Sequence, residues 1–115
     1  MQPSPALFRA VADPTRRGIL DRLALGDAGA SDLDPAHAMS QPAMSQHLKV
    51  LREAGLVEVR AHGRRRIYSL QPDALRPIYD WISHYERFWD ARLHRLGALL
   101  DEQAPYGPEA EDDTP

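Results

Sequence analysis

Residues 40–57, SQPAMSQHLKVLREAGLV, leave the backbone few choices. Ser40 is a residue type that caps a helix N-terminus, and Pro42 fits only inside the first turn, where its missing N–H is not needed. Met44, Leu48 and Leu51 are spaced four and three apart, so in a helix they share one face. Gly55 supplies the left-handed turn that ends such a helix. The period then changes. Residues 56–60 read as a strand, Ala61-His62-Gly63-Arg64 as a turn, and residues 65–70 as the returning strand. The frame predicted is a capped helix running into a hairpin, with the rest of the chain packed on the Met44 side.

Upstream, the segment ALFRAVA after Pro3 and Pro5 has a short helical pattern. Asp13 then caps a second helix with Pro14 at its first position and Ile19, Leu20 and Leu23 as its inward stripe; Gly26 is the predicted stop. Residues 31–38 read as a short third helix, opened by Ser31, Asp32 or Asp34. Downstream, Pro72 and Asp73 open a long helix predicted to reach about Leu100. The domain is predicted to span 1–103, and the acidic, proline-rich tail 104–115 to be disordered. The fold class expected is mainly α: a winged helix-turn-helix of five helices and a two-stranded hairpin, dimerising through its terminal helices.

The chain has 115 residues and no cysteine, so disulfides and thiolate metal sites are excluded. No apolar run has the roughly 20 residues of a membrane span, and the start lacks a signal-peptide pattern; a soluble, cytoplasmic protein is expected. The net charge of −3 conceals a division. Residues 101–115 hold six acids and no Lys or Arg, leaving fourteen basic against eleven acidic residues in 1–100. Within 40–70, Lys49, Arg52, Arg60, Arg64, Arg65 and Arg66 face only Glu53 and Glu58. A local excess of this kind suits a polyanion, although a solvated charged surface would look the same.

A helix that buries Met44, Leu48 and Leu51 turns Gln41, Ala43, Ser45, Gln46, Lys49 and Arg52 mainly outward. Glutamine pairs with adenine edges, serine adapts, and Ala43 suits a thymine methyl. Lys49 and Arg52 suit phosphates, and Ser40 both caps the helix and sets its first amides near one. His47 has two readings, a neutral ring at the edge of the core or a contact to the DNA backbone. Because strand side chains alternate, at most two of Arg64, Arg65 and Arg66 share a face; phosphate or minor-groove contact is the reading preferred.

ADPTRRGILDRL, SDL, SQPAMSQHLKVLREAGLVEVR and GRRRIYSL together resemble the ArsR/SmtB family of winged-helix repressors, over about residues 6–100. The resemblance implies a homodimer on an inverted-repeat operator, released by an effector. Many members of that family sense metals through a Cys-x-Cys pair in the third helix. Those positions fall on Gly29 and Ser31 here, so sensing of arsenic, cadmium or lead at that site is not expected. A second family site uses Asp, His and Glu on the last helix. Asp80, His84, Asp90 and His94 share a helical face, but the family's Asp-x-His start is missing. A solvated outer face is the preferred reading, with no cofactor; a nickel, zinc or cobalt site is the alternative.

The last helix also carries Trp81, Tyr85, Phe88, Trp89, Leu93 and Leu96, too large an apolar arc for a monomer to expose. With Leu7 and Phe8 of the first helix, they are the expected dimer interface. An enzyme is not expected, since the chain has no Cys nucleophile, no Gly-rich phosphate loop and no Gly-x-Ser-x-Gly. A protein-interaction module that has lost DNA binding is the alternative of another class.

Overall fold

The computed structural model describes residues 2–89 and Arg95. The chain divides into two units, Met1–Trp81 and Ile82–Pro115, and the core belongs to the first.

Helix α1, Pro5–Ala12, is capped by Ser4, whose Oγ accepts from Leu7 N at 3.1 Å. Asp13 separates it from α2, Pro14–Leu23, and its carboxylate accepts from Arg16 N at 3.0 Å. Pro14 sits at the start, as predicted, because the first helical N–H has no partner to lose. Helix α4, Gln41–Glu53, is capped by Ser40, which accepts from Ala43 N at 3.2 Å. It closes at Gly55, with φ 78°, where a side chain would be strained. The α4 stripe of Met44, Leu48 and Leu51 packs in one cluster with Leu7 and Ala10 of α1 and Ile19, Leu20 and Leu23 of α2. Each large aliphatic side chain so buried contributes about 1.5–3 kcal/mol.

The expected two-stranded hairpin is present, and a third short strand extends its sheet. Strand β2 (Val57–His62) and strand β3 (Arg65–Leu70) pair antiparallel across Gly63-Arg64, with His62 opposite Arg65 and Val57 opposite Leu70. Gly63 takes φ 66° at the first position of this two-residue connection. A third strand, β1 (Ala28–Gly29), adds to the other edge of β3, with Ala28 opposite Tyr68 and Gly29 opposite Ile67. The sheet order is β1-β3-β2. Two small residues carry no alternation, so sequence periodicity had nothing to detect there.

The third helix is shorter than predicted. Helix α3 covers Ala30–Leu33, not 31–38. Asp34 leaves the helical region, as a residue before proline tends to. Its carboxylate then accepts from Ala38 N (3.1 Å) and Met39 N (2.9 Å), so a side chain organises the turn into α4. The last helix is not continuous either. Pro72–Leu75 is a 3-10 turn, α5 covers Arg76–Ser83, and a turn at His84 and Tyr85 precedes further helix at 86–89. The predicted run to Leu100, the boundary at 103 and the tail lie outside the described residues. Among the described residues, no helix is long and apolar enough to cross a membrane.

Candidate nucleic-acid interface

Helix α4 is anchored on two sides. Its core stripe lies inward, and Ala43, His47, Val50 and Ala54 are half-buried along one flank. Gln41, Ser45, Gln46, Lys49 and Arg52 are exposed, and the hydrogen bonds among the described residues leave all five side chains unpaired. At about 100° per residue they form one arc. That arc offers two amides, a hydroxyl and two cations from a rigid scaffold. Ala43, predicted to face outward with them, belongs instead to the half-buried flank, and His47, read as either a core-edge ring or a backbone contact, lies on that same flank.

His47 has a specific partner. Arg16 Nη1 stands 3.2 Å from His47 Nδ1, while the Asp13 carboxylate is 3.9 Å away, beyond a hydrogen bond. Arginine only donates, so Nδ1 accepts and the ring proton of a neutral His47 sits on Nε2. The same guanidinium donates through Nε to Ala10 O (2.9 Å) and through Nη2 to Arg9 O (2.8 Å). Arg17 Nη1 donates to Val11 O (2.9 Å) and Ala12 O (3.0 Å). Two arginines of DPTRR thus satisfy the open carbonyls at the end of α1, where cations are favoured. One of them also ties α4 to that junction. The hydrogen bond from Arg16 N holds the Asp13 carboxyl below its ordinary value, with the charges of Arg16 and His47 adding. This role of DPTRR was not read from the sequence, and no local pattern signals a bond spanning 31 residues.

On the wing, the three consecutive arginines part ways. Arg65 Nη2 donates to Asp32 Oδ2 of α3 at 3.2 Å, and the same oxygen accepts from Gly29 N at 3.2 Å. Arg64 and Arg66 are exposed, and their side chains have no hydrogen-bond or ion-pair partner among the described residues. Arg60 on β2 donates to Asp27 (3.0 Å) and Ser69 (3.1 Å), and its side chain holds the Asp27 carboxyl below the ordinary value. A cleft of about 360 Å³ lies between α4 and β3, with Gln41 and Ser45 on one wall and Arg65 and Arg66 on the other.

The predicted dimer residues fall in different places. Leu7 is 5 % exposed and belongs to the chain's own core, because the α1 stripe points at α2 and α4. Phe8 is half-buried, with its ring edge-on to Trp81 at 5.4 Å. In the second unit Tyr85, Phe88 and Trp89 are 46 %, 52 % and 47 % exposed. Leu93 and Leu96 lie outside the described residues, as do the metal candidates Asp90 and His94. Asp80 accepts from Arg76 Nε at 3.0 Å, one helical turn away, and His84 lies in the turn after α5. Among the described residues no three His, Asp or Glu side chains gather as metal ligands.

A capped helix with an outward arc of amides and cations, beside a basic wing on a small helical core, defines a winged helix-turn-helix DNA-binding regulator. Comparison with known proteins fixes the family. The pattern of the bacterial regulatory proteins of the arsR family matches residues 13–59, from the α2 cap into β2. The HTH-type transcriptional regulator Rv2034 of Mycobacterium tuberculosis is 41 % identical over 96 residues, covering 84 % of this chain and 87 % of its own. The arsenical resistance operon repressor of Escherichia coli is 45 % identical over 96 residues, covering 82 % and 79 %. The homodimeric winged helix-turn-helix DNA-binding domain of Mb0332 from Mycobacterium bovis superposes with a TM-score of 0.57 at 28 % identity, covering 70 % and 78 %. The chain belongs to the arsR family. It is a DNA-binding transcriptional regulator of the repressor type, not an enzyme.

Proposed function

We propose that this regulator works as a homodimer in the cytoplasm, on an operator of two inverted half-sites, with one α4 in the major groove of each. The observation that carries this reading is the exposed, unpaired arc of Gln41, Ser45, Gln46, Lys49 and Arg52 on a helix whose other sides are all anchored. Gln41, Ser45 and Gln46 read base edges. Lys49 and Arg52 on the helix and Arg64 and Arg66 on the wing neutralise phosphates, and Ser40 sets the first amides of α4 toward another. Dimerisation uses Phe8, Trp81, Tyr85, Phe88 and Trp89; the homodimeric state of Mb0332 and the exposure of the last three support it.

The effector differs in chemistry from that of thiolate-based sensors. With no cysteine in the chain, a soft metal or metalloid has no sulfur to bind. The Escherichia coli relative is an arsenical resistance operon repressor, and this chain lacks the thiolates to bind an arsenical. A nickel, zinc or cobalt response through Asp80, His84, Asp90 and His94 gains no support from Asp80, whose carboxylate is engaged by Arg76. The test is to measure duplex affinity with and without each of these ions, for the wild type and for His84→Ala with His94→Ala. An ion-dependent change of affinity that the double variant abolishes would establish the metal version. Affinity independent of every ion leaves the metal-free version standing.

A further inference from the structure

We propose that Asp32 is a positioning residue for DNA binding: it holds the Arg65 guanidinium against α3 and takes that cation out of contact with the phosphate backbone. This rests on the DNA-binding reading above and adds which of the neighbouring cations is kept from the duplex.

Three observations converge on the same few atoms. Arg65 Nη2 lies 3.2 Å from Asp32 Oδ2. That oxygen is itself oriented by the N–H of Gly29 at 3.2 Å, so the carboxylate is set in place before Arg65 arrives. Gly29 also makes the room: a Cβ built there would stand 2.6 Å from Arg65 Nη2. Gly29 has φ −84°, open to any residue, so the position needs glycine for space and not for backbone freedom. Small residue, carboxylate and guanidinium come from β1, α3 and β3, and together they form a seat for one arginine.

The neighbours show the contrast. Arg64 and Arg66 flank Arg65 in sequence, and neither has an ion-pair partner among the described residues. Their charges are available to a duplex, whereas that of Arg65 is neutralised on the spot. An ion pair this exposed, with side chains 58 % and 50 % accessible, adds little to stability. Its consequence is electrostatic. Each phosphate neutralised by a protein cation steepens the fall of log affinity with log salt by about 0.9, so one seated arginine is one contact fewer.

The experiment measures random-duplex affinity against salt for the full chain and five variants: Asp32→Asn, Gly29→Ala, Arg65→Gln, and Arg65→Gln combined with each of the first two. Asp32→Asn keeps an acceptor for Gly29 N but removes the charge. Gly29→Ala leaves every charge and displaces only the flexible end of Arg65. Expected is a slope steeper by about 0.9 for Asp32→Asn and for Gly29→Ala, and a return to the wild-type slope when Arg65→Gln is added to either. Arg65→Gln alone is expected to change the slope by a few tenths at most. The proposal is overturned if Arg65→Gln alone flattens the slope by about 0.9, since Arg65 would then already be on the phosphates. It is equally overturned if Asp32→Asn acts the same with and without Arg65, or if neither single release changes the slope. Should Asp32→Asn fail to fold, Gly29→Ala and its double variant decide alone. A wild type that binds no duplex removes the DNA-binding reading along with this one; a wild type that binds with the wrong slopes removes only this one.

Discussion

Arg16 Nη1 lies 3.2 Å from His47 Nδ1, and through that contact the junction of α1 and α2 holds α4. The contact spans 31 residues, and its arginine also closes the last carbonyls of α1. Replacing Arg16 therefore loosens two elements at once. Arg16→Lys keeps the charge but not the fork that reaches three acceptors. It is expected to cost on the order of 1–3 kcal/mol, read as a fall in thermal midpoint. The imidazole nitrogen spectrum of the wild type should show neutral His47 as the tautomer with its proton on Nε2. In Arg16→Ala the Nδ1 signal should move, because its donor is gone.

The outward arc of α4 makes a separable expectation. Gln46→Ala should reduce preference for the operator over random DNA by about 1–3 kcal/mol, the worth of one bidentate base contact. Lys49→Ala should instead weaken binding to all duplexes alike and flatten the salt dependence by about 0.9. Competition binding with operator and random duplex separates the two. Equal losses on both duplexes for Gln46→Ala would contradict its role in reading bases.

Helix capping supplies a stability test. Ser40 Oγ accepts from Ala43 N at 3.2 Å, so Ser40→Ala is expected to cost about 1 kcal/mol. Leu51, with 0 % exposure in the core, should cost about 2–5 kcal/mol as Leu51→Ala. Chemical denaturation of the two variants checks the order as well as the size.

Acid sensitivity follows from Asp13. Its folded carboxyl sits below the unfolded value of 3.8, chiefly through the hydrogen bond from Arg16 N. A depressed carboxyl stabilises the fold fully above the unfolded value and loses that contribution as pH falls through the folded value. The gap in thermal midpoint between the wild type and Asp13→Asn should therefore be steady above about pH 5 and should close as the solution is acidified past 3.8. A gap that widened in acid would contradict the assignment.

Where chemistry is local, this fold is legible in its sequence. Ser40, Asp13 with Pro14, and the left-handed Gly55 and Gly63 each announce a cap or a turn by residue type, and each stands where that chemistry requires. Periodicity likewise shows the Met44, Leu48, Leu51 stripe. What escapes is non-local or too brief. Ala28 and Gly29 become a strand only because Tyr68 and Ile67 are there to pair with. The Asp34 turn replaces the end of the third helix because one carboxylate collects two amides that helical periodicity cannot foresee. No proline or glycine marks the turn at His84 and Tyr85. The interface divides in the same manner. The exposed amides and cations of α4 are legible, whereas the commitment of Arg65 to Asp32 and of His47 to Arg16 joins residues 33 and 31 positions apart.

The most direct measurement selects bound duplexes from a random pool with the purified chain, with repeats at rising salt. The expected result is enrichment of a two-fold symmetric site whose half-site centres are separated by about one helical turn or a multiple of it, and whose affinity falls steeply with salt. No enrichment of any sequence, together with no binding at low ionic strength, would contradict the account.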